Sequence, residues 1–163
     1  MANSPNVVHQ GEMQWIESSR GSGFAFKRKL LGQAASGEKL GCSLYEIAPG
    51  ASAWPFHYHW ANEEAIYVLE GAGTLRLGDQ KIEVSAGDYI AIPAGPANPH
   101  RLINTSDAPI RYLCFSTQID PDVVVYPDSN KVAVGVGPAG RKVFGAVYRR
   151  GTEVEYYDGE PDA

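Results

Sequence analysis

From Leu40 onward the chain alternates between short apolar runs and turn residues. Gly41-Cys42-Ser43-Leu44-Tyr45-Glu46-Ile47 reads as a strand stopped by Pro49-Gly50, and Ala65-Ile66-Tyr67-Val68-Leu69 as another, rich in β-branched and aromatic residues. Thr74 to Leu77 alternates, turns at Gly78-Asp79 and resumes from Lys81 to Val84, which predicts a hairpin. Tyr89 to Ile92 is a short buried strand that Pro93 ends by removing a ladder donor. His100 to Ile103 and Ile110 to Ser116 read as the next pair of strands, joined through Asn104-Thr105-Ser106-Asp107. Phe24 to Leu31 is a further strand candidate, followed by a flexible stretch from Gly32 to Gly37. Late strands are expected at Val132 to Val134 and Val143 to Tyr148, before an acidic tail of Glu153, Glu155, Asp158, Glu160 and Asp162. No run has the length and 3.6-residue period of a long helix. Short strands separated by regular turn signals predict an all-β sandwich or barrel.

Length and composition narrow this further. The 163 residues fit one domain with a sizeable core, and 44% hydrophobic with 20% charged residues is ordinary for a globular protein. The net charge of -5 argues against a nucleic-acid partner or an anionic membrane surface. No stretch approaches the roughly 18 apolar residues of a membrane span, and the opening MANSPNVVHQ has neither the charged start nor the apolar run of a signal peptide. The expected location is therefore the cytoplasm. Cys42 and Cys114 lie in apolar runs with no Cys/His cluster around them, and are read as reduced thiols packed as small hydrophobes.

Three of the four histidines lie in two short strand-like segments. In Phe56-His57-Tyr58-His59-Trp60 the histidines are two apart, so both project from one face of a strand while Phe56, Tyr58 and Trp60 cover the other. Such a pair alone is commonly a surface or packing feature. Here Glu63 and Glu64 follow at once, and His100 opens another strand after a proline-rich loop. Three imidazoles and one carboxylate suit a six-coordinate Fe, Mn, Ni or Zn ion with positions left for a ligand.

These segments closely resemble the two motifs of the cupin superfamily. The first is matched by Gly50, six residues, His57-Tyr58-His59, four residues, Glu64, six residues and Gly71. The second is matched by Gly87, five residues, Pro93-Ala94-Gly95, four residues, His100, three residues and Asn104. The chain departs from the family pattern by one extra residue before His57 and two before His100, both in loops where length is tolerated. The resemblance spans roughly Leu40 to Ser116. It implies an all-β cupin double-stranded β-helix, a jelly-roll barrel, in which His57, His59, Glu64 and His100 hold one divalent metal ion. The spacing selects Glu64 over Glu63.

A three-part layout follows: an N-terminal extension over 1–39 that adds one or two strands, the core barrel over 40–118, and a C-terminal part of the same domain over 119–163. Ile66 and Val68 should line the barrel with Glu64, and Leu102 and Asn104 should share the face of His100. Ser43, Tyr45 and Ile47 share a face, and Tyr45 is read first as a packing residue. Arg76, Arg101 and Arg111 are read as solvated. The segment from Asp120 to Lys131 is expected to be a loop covering an exposed edge strand.

The implied partner is a small molecule bound through two adjacent oxygens. The resemblance leaves three functions open: a metal-dependent isomerase acting on a sugar or sugar phosphate, an Fe(II) dioxygenase on a diol or oxo acid, and a non-catalytic ligand-binding module. No residue is assigned as catalytic; Tyr45 and an inward-turned Glu63 are weak candidates for the base. Trp15, Phe24, Phe26, Val143, Phe144 and Val147 exceed what one small barrel needs to fill, which predicts a homodimer.

Overall fold

The computed structural model describes residues 6–21, 23–137 and 143–161. The strands are β1 (Ile16–Arg20), β2 (Phe24–Lys29), β3 (Leu40–Ile47), β4 (Tyr58–His59), β5 (Glu64–Glu70), β6 (Ala72–Leu77), β7 (Gln80–Ser85), β8 (Tyr89–Ile92), β9 (His100–Ile103), β10 (Ile110–Thr117), β11 (Asp122–Tyr126), β12 (Lys131–Val136) and β13 (Phe144–Arg149). Among the described residues one short α-helix, α1 (Leu31–Ala34), takes the end of the expected Phe24–Leu31 strand and the start of the stretch expected to be flexible. Residues 1–5 of the N-terminal extension and Asp162 of the acidic tail lie outside the described residues.

Antiparallel pairing builds a six-stranded sheet in the order β1-β2-β3-β10-β5-β8. Facing it are a three-stranded sheet, β7-β6-β9, and a four-stranded one, β13-β12-β11-β4. An antiparallel bridge between His57 and His100 joins these two smaller sheets into one wall. The result is the all-β jelly-roll barrel of the cupin fold. Its core is packed by the inward residues of both walls, among them Ile47, Val68, Leu75, Ile110 and Tyr112. Ile66, Val68, Leu102 and Asn104 are buried, as alternation from Glu64 and His100 requires.

Gly71 shows why the β5–β6 turn accepts only glycine. Its φ is +81°, and a Cβ there would come within 2.5 Å of the Pro109 carbonyl oxygen.

Several expectations from the sequence need correction. β9 and β10 do not pair with each other: β9 joins β6 and β10 lies between β3 and β5. The corner between them is held by the Asn104 amide, which donates to the Ile47 and Ala108 carbonyls, both at 2.8 Å. Half of the Asp120–Lys131 segment is strand. Val123, Val124 and Val125 favour extended backbone, and β11 pairs with both β12 and β4. β1 forms in a stretch with little apolar pattern because its backbone pairs along the whole of β2. Phe26, counted as surplus, belongs to the core. Glu63 is exposed, which removes it as an inward base.

Candidate metal centre

His57 and His100 face each other across their bridge, with reciprocal backbone hydrogen bonds of 3.1 and 2.8 Å and ring centroids 4.5 Å apart. His59 follows one pleat later. Its carbonyl accepts from Gly95 at 2.7 Å, and the Trp60 amide donates to the Val123 carbonyl at 2.9 Å, so the short β4 is fixed on both edges. Glu64 opens β5 from the opposite wall.

The four side chains converge on one oxygen. Glu64 Oε2 lies 3.0 Å from His100 Nε2, 3.7 Å from His59 Nε2 and 4.0 Å from His57 Nε2. His57, His59 and Glu64 each offer a ligand atom within 4.8 Å of the others. Donors about 2.1 Å from a common ion stand roughly 3 Å apart when adjacent and roughly 4.2 Å apart when opposite, so this trio fits a shared cation; His100 closes on Glu64 but lies outside the trio.

The outer ring nitrogens are all engaged. Nδ1 of His57 meets the Pro55 carbonyl at 2.8 Å, Nδ1 of His100 the Asn98 carbonyl at 3.2 Å, and Nδ1 of His59 the Asp122 carboxylate at 2.5 Å. Each partner is an acceptor, so Nδ1 of His57 and His59 carries the proton and their Nε2 lone pairs face Glu64, whereas His100 Nε2 donates to Glu64 Oε2. Burial, helped by the neighbouring imidazoles, lowers the His57 pKa to about 4, which keeps its ring neutral. Burial pushes the Glu64 carboxyl up, but the hydrogen bond from His100 and the surrounding imidazoles outweigh it and hold the group below its usual range. A divalent cation would supply positive charge beside this buried carboxylate.

Sequence reading missed Asp122. Its carboxylate also accepts from the Ala61 amide at 3.1 Å. Burial would raise its pKa, yet the bonds from His59 and Asn62 bring it down to about 2. Tyr126, on the same strand, lies over His57 with centroids 6.0 Å apart. Cys114 was read as packing alone, yet its thiol stands 4.0 Å from Glu64 Oε1. Burial and that carboxylate push it well above the usual thiol range, so it stays protonated.

A cavity of about 250 Å³ opens on Glu64, lined also by Cys114, Ser43, Tyr45, Gln33 and Arg28. Tyr45 stacks on Tyr112, with centroids 5.1 Å apart, and its hydroxyl accepts from the Trp54 indole at 3.2 Å. Arg76, Arg101 and Arg111 are engaged elsewhere: with Asp128 and the Phe56 ring, with Ser52 and the Phe24 ring, and with Glu46 and Glu70.

Comparison with known proteins bears on the family and the fold. Residues 43–116 match the family model described as a cupin domain. An uncharacterized protein of Methanocaldococcus jannaschii is 41% identical over 70 residues, which is 43% of this chain and 54% of that protein. Quercetin 2,3-dioxygenase of Bacillus subtilis is 32% identical over 91 residues, 53% of this chain and 27% of the enzyme. The matched region thus spans about half of the first relative and about a quarter of the second. Among solved structures, a sugar phosphate isomerase of the cupin superfamily from Silicibacter pomeroyi superposes with a TM-score of 0.76 at 26% identity, covering 96% of both chains. A candidate sugar phosphate isomerase from Acidithiobacillus ferrooxidans gives 0.79 at 24% identity, over 93% of this chain and 96% of that one, and bears on the fold alone. No helix among the described residues is long and apolar enough to cross a membrane.

Proposed function

The chain carries a cupin domain over residues 43–116, and from that premise we propose that it binds one divalent ion through His57, His59, Glu64 and His100 and acts on a small polar carbonyl compound such as a sugar or sugar phosphate. The observation that carries this reading is the set of three imidazoles, each anchored at Nδ1, with Nε2 turned toward one carboxylate oxygen. The likeness to the Silicibacter pomeroyi isomerase over 96% of the chain supports the isomerase class.

Held by His57, His59, Glu64 and His100, the ion would supply Lewis acidity to a substrate oxygen. Tyr45 keeps its hydroxyl proton, because burial and the nearby Cys114 push its pKa up, so it serves the pocket as a hydrogen-bond donor rather than a base. Ile66 and Val68 pack into the core on the face that Glu64 opens.

The test is metal content by elemental analysis. His59→Ala and His100→Ala should lose most bound metal while His9→Ala retains it; equal occupancy in all three ends the reading. Turnover is tested with protein loaded separately with Fe, Mn, Ni or Zn, by deuterium incorporation from solvent into aldose and ketose phosphates. A second reading, an Fe-dependent dioxygenase on a diol or oxo acid, draws on the similarity to quercetin 2,3-dioxygenase. Oxygen consumption with Fe alone and no deuterium exchange would favour it. Silence in both assays, with metal bound, would favour a binding module. A homodimer is also proposed, because Val143, Phe144 and Val147 remain exposed; a monomeric mass by light scattering at micromolar concentration refutes it.

A further inference from the structure

We propose that Arg28 is the anion-binding end of the cavity that opens on Glu64, so that the compound taken there is a carbonyl compound of about ten non-hydrogen atoms bearing a carboxylate or phosphate. This deepens the proposed function by naming the substrate class, and it rests on that reading only for what happens at the Glu64 end.

The position of Arg28 is unusual for a charge. Along β2, Phe24, Phe26 and Arg28 share a face, and Phe26 on that face lies in the core. Lys27, on the opposite face, is exposed beside Glu17 and Glu46. Alternation therefore puts a half-buried guanidinium on the face that Phe26 carries into the core, while Lys29, buried on the opposite face, donates to the Gln10 carbonyl.

No carboxylate among the described residues pairs with Arg28. Arg76 and Arg111 face the carboxylates named above, whereas the partners of Arg28, like those of Arg101, are neutral: the Tyr45 hydroxyl, and the Phe26 and Trp54 rings, each with its centroid 5.7 Å from the guanidinium carbon. The Nε of Arg28 is buried with no hydrogen-bond partner. Two rings restrict the guanidinium plane and leave its remaining N–H groups for an oxyanion, which a guanidinium binds with two parallel hydrogen bonds.

The cavity's charges are arranged accordingly. Arg28 is the one cation in its lining; the acids are Glu64, within the imidazole cluster, and Glu38, exposed at the rim. Gln33, Ser43, Ser116 and Gln118 provide neutral polar groups between them. Size sets a further limit. An apolar cavity of about 150 Å³ accepts benzene, with six heavy atoms, so 250 Å³ corresponds to about ten. A triose phosphate or a five-carbon dicarboxylic oxo acid has that size, and a hexose phosphate would protrude.

The test is calorimetric titration of the full-length protein, before and after chelation, with D-glyceraldehyde 3-phosphate, 2-oxoglutarate and neutral D-glyceraldehyde. The expected result is that at least one anion binds at least tenfold more tightly than D-glyceraldehyde. Arg28→Met should lose at least tenfold of that affinity while keeping its bound metal, and Arg28→Lys, which keeps the charge but not the fork, should lose less. Binding of the phosphate or of the oxo acid alone identifies which oxyanion the site takes. Equal binding of the neutral aldehyde, binding of none of the three, or unchanged anion affinity in Arg28→Met overturns the proposal. The comparison of anions with the aldehyde in the unsubstituted protein holds even if Arg28→Met fails to fold. Arg28-dependent binding that persists in protein holding no metal would sink the metal reading and leave this one standing.

Discussion

Glu64 and His59 reach the same point in space from contrasting supports. Glu64 begins β5, a strand of seven residues flanked by β10 and β8, and the next two inward residues, Ile66 and Val68, are 4% and 0% exposed. His59 ends β4, a strand of two residues, and its ring is held by a carboxylate from β11, whose own sheet is only half-buried. The carboxylate is thus positioned by packing and the imidazole by hydrogen bonds. The two walls should therefore fail differently: a packing defect should unfold the protein, and a lost hydrogen bond should loosen the site while the fold survives.

The sharpest way to break this contrast is Ile110→Ala. Ile110 is 0% exposed on β10, next to β5. Deleting its buried methyl and methylene groups should cost about 3 kcal/mol, within the usual span for such cavities. Denaturant melts should show the loss, and the molecules that remain folded should still hold metal. Retained stability would mean that this wall does not depend on packing.

A comparable effect is expected from pH, acting on the histidine side alone. In metal-free protein His57 takes a proton only near pH 4, against an ordinary value of 6.5. The unfolded chain therefore protonates first as pH falls, so the folded state is at full strength above about 6.5 and weakens down to about 4. The ceiling is about 3 kcal/mol. Melting temperatures of chelated protein measured across that window should fall, and His57→Asn should flatten the curve. An unchanged slope in the variant would assign the loss to other groups.

Asp122→Asn sharpens the contrast from the other direction. The carboxylate fixes the His59 tautomer and orientation, and removing its charge should weaken metal affinity by about tenfold or somewhat more. Metal-free protein should stay folded near neutral pH but with a somewhat lower melting temperature, because the bonds that depress the Asp122 carboxyl also stabilise the fold. A fall in stability without loss of metal would make Asp122 a structural residue of β11 and not a support for His59.

Legibility followed local pattern and not the division between the walls. β3, β5 and the β6–β7 hairpin follow from two-residue alternation, and the four ligand candidates follow from motif spacing, because both are patterns local to a few residues. Asp122 and Arg28 are different. Asp122 acts on His59 from 63 positions away, through a register that no local pattern encodes. The aspartates and prolines around it read as turn chemistry, which hid the β-branched run of β11. Arg28 left a signal that went unused: a cation continuing the inward face of Phe24 and Phe26. The β9–β10 corner was misjudged for a similar reason, since neighbouring strands in sequence usually pair, and here Asn104 turns the chain into the other sheet.

The smallest effect is expected at the far edge of the half-buried wall. Val147 lies on β13, the outermost strand of its sheet, and is 63% exposed. Within one chain it has little buried surface to lose, so Val147→Ser should change folding stability by no more than about 0.5 kcal/mol. The measurement needs two protein concentrations, because the edge of β13 is also where a second copy is proposed to pair. At nanomolar concentration the melting temperature of the variant should match that of the unsubstituted chain. At micromolar concentration light scattering should find less dimer in the variant, since its apolar edge now carries a hydroxyl. A large loss of stability at nanomolar concentration would show that β13 is packed as tightly as β10, and the contrast between the two walls would then disappear.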